Sequence, residues 1–248
     1  MPAPPRVLTI AGSDSCGGAG IQADIKTITL LGGYAMSAIT AITAQDTTGA
    51  HAVEVLSPGM VAAQIDACTG DIGVDAVKIG MLGSASVAHA VADRLDGLNV
   101  PIVFDPVMVA TSGAVLADAE TIEAFERLMR IATLTTPNVP ELCALGGDAA
   151  MAVREVPYLA KGGDAEGAMV EDILVRPGLP DVLWRSERIA TRHTHGTGCT
   201  LASAIATFLG TGLDLPDAVE RARACVRAAL LAAPGFGKGS GPLGSVAG

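Results

Sequence analysis

Two hydrophobic rhythms alternate along the chain. The runs "RVLTIAG" (6–12), "MSAITAITAQ" (36–45), "DAVKIG" (75–80), "VPIVFD" (100–105) and "ATLTTP" (132–137) are short and rich in aliphatic and β-branched residues, as buried strands are. Between them, "AGIQADIKTITLLG" (19–32), "PGMVAAQIDACTGDI" (58–72), "SASVAHAVADRL" (84–95) and "DAETIEAFERLM" (118–129) space their apolar residues as amphipathic helices do, with Pro58 placed to open the second. After Gly147 the rhythm changes. "VEDILVRP" and "DVLWRSERIA" lie too close together for a crossover helix and read as a hairpin, and two helical segments, 196–212 and 215–233, follow. The pattern predicts an α/β fold with a central, mostly parallel sheet and helices on both faces. Neither a repeat nor a linker is evident, so one domain over 1–248 is expected.

In such sheets ligands bind beyond the carboxyl ends of the strands. The unusual sequences fall there: "GSDSCGGAG" after the first strand, "AQDTTGA" after the second, then "GML", "DPVMVATSG" and "TPNVPE". Five such strand ends in one chain predict a site.

Composition narrows its ligand. Lys and Arg number 16 against 26 Asp and Glu, a net charge of -10, which disfavours a nucleic-acid partner. Residues 27–45 carry no charge and match a membrane span in length, but Gly32-Gly33 divides them into helix and strand, so no membrane partner is expected. The first residues lack the apolar stretch of a secretion signal, and five scattered cysteines form no C-x-x-C pair. A cytoplasmic location follows as the expectation.

The first glycine-rich loop imitates two motifs. Gly18, Gly20 and Ala23 fit G-x-G-x-x-A, but Gly18 lies seven residues beyond Ala11, where a dinucleotide fingerprint would turn directly at the strand end. Gly12 and Gly17 fit half a P-loop, yet Gly18 and Ala19 stand where lysine and Ser/Thr are needed. The stretch "HGTGCTLASAIA" is more informative. Gly196, Thr197 and Gly198 lead straight into an apolar helix, so their N–H groups predict an anion hole, and Cys199 would lie where the helix dipole lowers a thiol pKa. Asp105 and Glu141 are candidate holders of Mg2+ beside a transferring phosphoryl group. His193 and His195 flank Thr194; with no third ligand at suitable spacing they read as loop histidines. Met81, Met108 and Val107 could line an apolar pocket for a flat heterocycle, and Gln45 offers a donor and an acceptor to its edge.

"AGSDSCGGAGIQADIKT", "AITAQDTTG", "KIGML", "FDPVMVATSG", "TPNVPE", "KGG" and "HGTGCTLASAIA" follow one another in an order that resembles the hydroxymethylpyrimidine/phosphomethylpyrimidine kinases of thiamine biosynthesis, in the ribokinase-like fold. The resemblance spans roughly Val7 to Leu243. It implies ATP-dependent phosphorylation of the pyrimidine hydroxymethyl group and then of the monophosphate. It also places Gln45, Gly12, Asp24, Met81 and Val107 around the pyrimidine and Cys199 beside the Gly196–Gly198 hole. Asp105 and Glu141 would serve Mg-ATP, and Lys161, Gly162 and Asn138 the nucleotide. A homodimer is expected. Two departures fall on the nucleotide side: the segment before "KGG" is short, Asp148 to Ala160, and Asp164 stands where the family often has histidine. The rival readings are a pyridoxal or pyridoxine kinase, a catalytically silent pyrimidine-binding regulator, and a dehydrogenase.

Overall fold

The computed structural model describes residues 3–109 and 116–245, so the end of the "DPVMVATSG" segment, 110–113, lies outside the described residues. Among those described, nine strands form one sheet in the order β3-β2-β1-β4-β5-β6-β7-β8-β9. They are β1 (Arg6–Asp14), β2 (Tyr34–Gln45), β3 (Ala50–Val55), β4 (Ala76–Ile79), β5 (Ile102–Phe104), β6 (Leu134–Thr135), β7 (Tyr158–Ala160), β8 (Met169–Val175) and β9 (Val182–Glu187). Strands β2, β1, β4, β5, β6 and β7 run parallel, whereas β3, β8 and β9 pair antiparallel at the two ends. The mostly parallel sheet and the 170–190 hairpin are therefore present as expected. Strand β3 was not expected: "AHAVEV" is exposed along most of its length and lacks the apolar alternation that marks a half-buried strand.

The helices divide between the two faces. α2 (Pro58–Ala67), α3 (Ala85–Leu95) and α4 (Ala119–Ile131) cover one face through Val61, Val87, Val91, Phe125 and Leu128. α1 (Gly20–Leu30), α7 (Thr197–Gly210) and α8 (Leu215–Leu231) cover the other through Ile28, Leu201, Ile205 and Val219. Local chemistry sets their starts: the side chains of Ser57, Asp118 and Asp214 accept backbone N–H groups at the N-termini of α2, α4 and α8. Two short helices, α5 (Val139–Ala144) and α6 (Gly147–Arg154), join β6 to β7, so the shortened segment still holds a helix.

Strand order reverses around β1, which lies between β2 and β4. At such a switch point the connecting helices leave to opposite faces and open a crevice beyond the strand ends. Strand β4 is buried throughout, and its Lys78 is wholly enclosed. The ammonium pairs with Asp24 of α1 at 2.8 and 2.9 Å. Asp24 also accepts hydrogen bonds from Thr9 of β1 and from Ser203 of α7. One carboxylate thus ties two strands and two helices. Burial, the largest single influence, pushes the Lys78 pKa down, but Asp24, Cys199 and Asp105 together outweigh it and the net shift is upward, so the lysine stays charged.

Replacing Asp24 with alanine strands this ammonium in the core. The expected loss is about 3–5 kcal/mol of unfolding free energy, read by urea denaturation; an unchanged midpoint would show that the pair ties nothing together.

Candidate active site

A cleft of about 890 Å3 opens at the carboxyl ends of the parallel strands. Gly12 and Asp14 reach it from β1, Gln45 from β2, Met81 from beyond β4, and Asp105 and Val107 from beyond β5. Asn138 and Glu141 contribute from α5, Lys161 from beyond β7, and Gly196 to Cys199 from the start of α7. Parallel strands deliver their loops to one edge, which is why residues scattered over the sequence meet.

Part of the cleft is formed by the start of α7 and by Lys161, Asp105 and Glu141. Gly196 caps α7 with φ 88°, and a Cβ there would lie 1.9 Å from the Gly18 carbonyl oxygen, so only glycine fits against the first loop. No side chain caps the helix. The Thr197 N–H donates to the Thr194 carbonyl at 3.2 Å, which withdraws it from the expected anion hole. The N–H groups of Gly198 and Cys199 have no partner among the described residues, and both residues line the cleft. A Cβ on Gly198 would come within 3.3 Å of both Asp105 Oδ2 and Lys161 Nζ. Lys161 Nζ lies 2.7 Å from Asp105 Oδ1 and 3.9 Å from Glu141 Oε2. Asn138 and Glu141 form a reciprocal capping box on α5, which holds Glu141 inward. Burial pushes its pKa up to about 7, against the pull of Lys161 and with repulsion from Asp105 added.

Three expectations are corrected here. Asp24 does not line the cleft; it is wholly buried in the Lys78 pair with its acceptor sites taken. Gly162 does not line it either: its N–H donates to Asp172 Oδ1 at 2.9 Å, and a Cβ would meet the Glu171 carbonyl oxygen at 2.1 Å. Its neighbours Gly163 and Asp164 are the ones that reach the cleft, on a loop whose carbonyls at 163, 165 and 167 are all bound by Arg188. The Cys199 pKa is not lowered. Burial pushes it up to about 11, Lys78 pulls it down, and Asp24 and Asp105 push it up again. Desolvation is the largest influence, and with the two carboxylates it outweighs the pull of Lys78.

Gln45, Met81 and Val107 line the same cleft. Met81 packs against Gly12, where a Cβ would lie 2.7 Å from its Cε. Ser15 Oγ donates to the Gln45 carbonyl at 2.7 Å and accepts its N–H at 2.8 Å, so the glycine-rich loop fixes the Gln45 backbone. His195 lies, as expected, in the loop between β9 and α7. It is buried, with Nε2 at 2.8 Å from Asp14 Oδ2 and 3.3 Å from the Gln45 amide. Asp14, Cys16 and His195 approach closely enough to hold a metal, but Asp14 Oδ2 already accepts the N–H groups of Gly18 and Ala19. Burial pushes Asp14 up, yet the hydrogen bonds from His195, Cys16 and Ala19 together hold it at about 2. Sequence reasoning missed Lys78, Asp14 and His195. A lysine within the apolar run "DAVKI" was the one available signal.

A family model described as phosphomethylpyrimidine kinase matches residues 14–244. The chain belongs to the phosphomethylpyrimidine kinase family. A hydroxymethylpyrimidine/phosphomethylpyrimidine kinase from Streptomyces coelicolor is 42% identical over 97% of this chain and 94% of its own length. A thiamine biosynthesis bifunctional protein from Geobacter sulfurreducens is 44% identical over 97% of this chain, which spans about half, 52%, of that relative. Among solved structures, phosphomethylpyrimidine kinase from Clostridium difficile superposes with a TM-score of 0.76 at 37% identity, covering 90% of this chain and 98% of that one. Pyridoxal kinase from Staphylococcus aureus in complex with AMP-PCP gives 0.90 at 31% identity, covering 99% and 95%. The family assignment and the ribokinase-like α/β fold agree with the motif order.

Glu141 makes stability depend on pH. Its raised pKa gives a stabilising contribution that is complete below about 4.5 and is lost as pH rises through about 7. Glu141→Gln keeps the cap acceptor and should flatten that decline, read as denaturation midpoints at a series of pH values. An identical slope in the variant would remove Glu141 as its source.

Proposed function

We propose that the protein uses ATP to phosphorylate the hydroxymethyl group of 4-amino-5-hydroxymethyl-2-methylpyrimidine, and then the monophosphate, giving the diphosphate for thiamine biosynthesis. The observation that carries this reading is one cleft lined both by Gln45 and Met81 and by the start of α7, where the N–H groups of Gly198 and Cys199 have no partner among the described residues. The names of the family relatives and the nucleotide analogue held by the S. aureus enzyme support it.

Each residue has a distinct task. Met81, Val107 and Gly12 sandwich the flat ring, and Gln45 reads its edge. The amides of Gly198 and Cys199, with Lys161, meet the charge that develops on the transferring phosphoryl oxygens. A monophosphate substrate brings its own anion to the same hole, which is how one site serves both steps. Cys199 stands beside the hydroxyl, and only its thiolate can accept the proton. With the thiol pKa near 11, that fraction is small at neutral pH, and Lys78 is what raises it. Mg2+ suits the donor set: Asp105 and Glu141 are hard oxygen ligands, and Asp105 Oδ2 has no hydrogen-bond partner among the described residues. When bound it supplies charge neutralisation on the phosphates. We further propose one kinase domain over 1–248, a homodimer, and a cytoplasmic setting suited to five free thiols. No described helix is long and apolar enough to cross a membrane.

A pyridoxal kinase is the second reading, favoured by the TM-score of 0.90 to the S. aureus enzyme. Turnover on the aminopyrimidine alcohol, its monophosphate and pyridoxal separates the two, and failure to form diphosphate would sink the two-step assignment. Cys199→Ala should lower phosphoryl transfer about 10²–10³-fold while pyrimidine affinity holds, and the wild-type rate should climb from pH 6 to 9 in a way the variant's does not. Normal turnover by the variant would return Cys199 to a packing role.

A further inference from the structure

Strand β7 ends at Ala160, and the bonds made just beyond it decide where the Lys161 ammonium goes. Through β7 the pairing with β8 is regular: Tyr158 stands opposite Val175, Leu159 opposite Leu174 and Ala160 opposite Ile173. Continued, that register would set Lys161 opposite Asp172 and Gly162 opposite Glu171. The backbone ladder stops instead, and the Gly162 N–H donates to the Asp172 side chain, at Oδ1, over 2.9 Å. Lys161 gives its own N–H to the Pro137 carbonyl at 3.0 Å. The peptide units on both sides of Lys161 are therefore fixed. Its Nζ arrives 2.7 Å from Asp105 Oδ1 and against the start of α7, where a Cβ on Gly198 would lie 3.3 Å from it.

Asp172 is itself buried, and its second oxygen is taken. Arg223 of α8 donates its Nε–H to Oδ2 at 2.6 Å, and its guanidinium lies 5.9 Å from the centroid of the Trp184 ring and 3.4 Å from Ser186 Oγ. Both partners of the carboxylate are donors. Two acceptor oxygens are needed to serve them, and an amide in the same place would offer only one.

We propose that Asp172, braced by Arg223, is a positioning residue for phosphoryl transfer: by holding the Gly162 N–H it sets the Lys161 backbone, and so the place of the ammonium beside Asp105 and the helix start. A cation that meets developing charge acts only where it is aimed, and a displacement of about 1 Å can cost as much as about 10²-fold in rate. The inference rests on the kinase reading and on the task given there to Lys161.

The test is a double-mutant cycle. Asp172→Ala combined with Arg223→Met removes the acceptor without leaving a charge buried alone. It should lower kcat about 10- to 30-fold while KM for the aminopyrimidine alcohol stays within about threefold. In a Lys161→Ala background the same pair should change kcat less than about twofold, because the residue it acts through is gone. Asp172→Asn combined with Arg223→Met returns an oxygen to the Gly162 N–H with no competing donor, and should bring kcat to within about threefold of wild type. Should the alanine pair not fold, Asp172→Asn alone replaces it: with one oxygen for two donors it should be slow, and adding Arg223→Met should speed it. Arg223 also borders the cleft, and were it a direct nucleotide contact the asparagine pair would stay slow. That result, equal losses with and without Lys161, or normal turnover by the alanine pair would overturn the inference. If the wild type phosphorylates neither the aminopyrimidine alcohol nor pyridoxal, the kinase reading itself fails; if it turns over and the cycle is additive, the positioning role alone fails.

Discussion

The buried pair of Lys78 and Asp24 is the constraint around which the molecule is arranged. Two charges removed from water are stable only with each other and with every remaining acceptor site filled. Here Thr9 and Ser203 complete the set, so β1, β4, α1 and α7 must all be in place before the pair is satisfied. The same cation lies close enough to Cys199 to pull its pKa down. Folding and chemistry therefore draw on one charge: the group that locks the sheet to its helices also decides how much thiolate the cleft contains.

Electrical balance at the start of α7 follows a similar logic. Asp105 and Glu141 would repel each other in a site with little water, and Lys161 between them holds the excess of negative charge in check. Glu141 responds by holding its proton up to about pH 7. The arrangement is near neutral at rest and leaves the helix amides unspent. Desolvation accounts for both raised acids, Cys199 and Glu141, and in each case it outweighs a favourable neighbour.

Much of this was legible in the sequence. Buried strands announce themselves by continuous apolar runs, and parallel strands bring their ends together, so Gln45, Met81, Asp105, Asn138 and Glu141 could be gathered in one place, while Cys199 was read from the glycine-led helix start and Lys161 came only from the family resemblance. What stayed hidden depends on long-range partners. Asp24 looks like a loop-proximal acid until Lys78 is seen opposite it, 54 residues away in sequence. Gly162 offers an N–H to the nucleotide until Asp172 takes it. His195 and Asp14 are separated by 181 residues, and no local spacing connects them. Strand β3 is exposed, so the sheet imposes no pattern on its side chains.

The contact of Gly196 with the Gly18 carbonyl has a mechanical consequence. Neither partner has room for a side chain there: a Cβ on Gly196 would overlap that oxygen, and one on Gly18 would lie 2.4 Å from His195 Cδ2. The glycine-rich loop after β1 and the start of α7 are thus pressed backbone to backbone. On the two-step reading proposed above, both substrates would meet the same loop-to-helix contact.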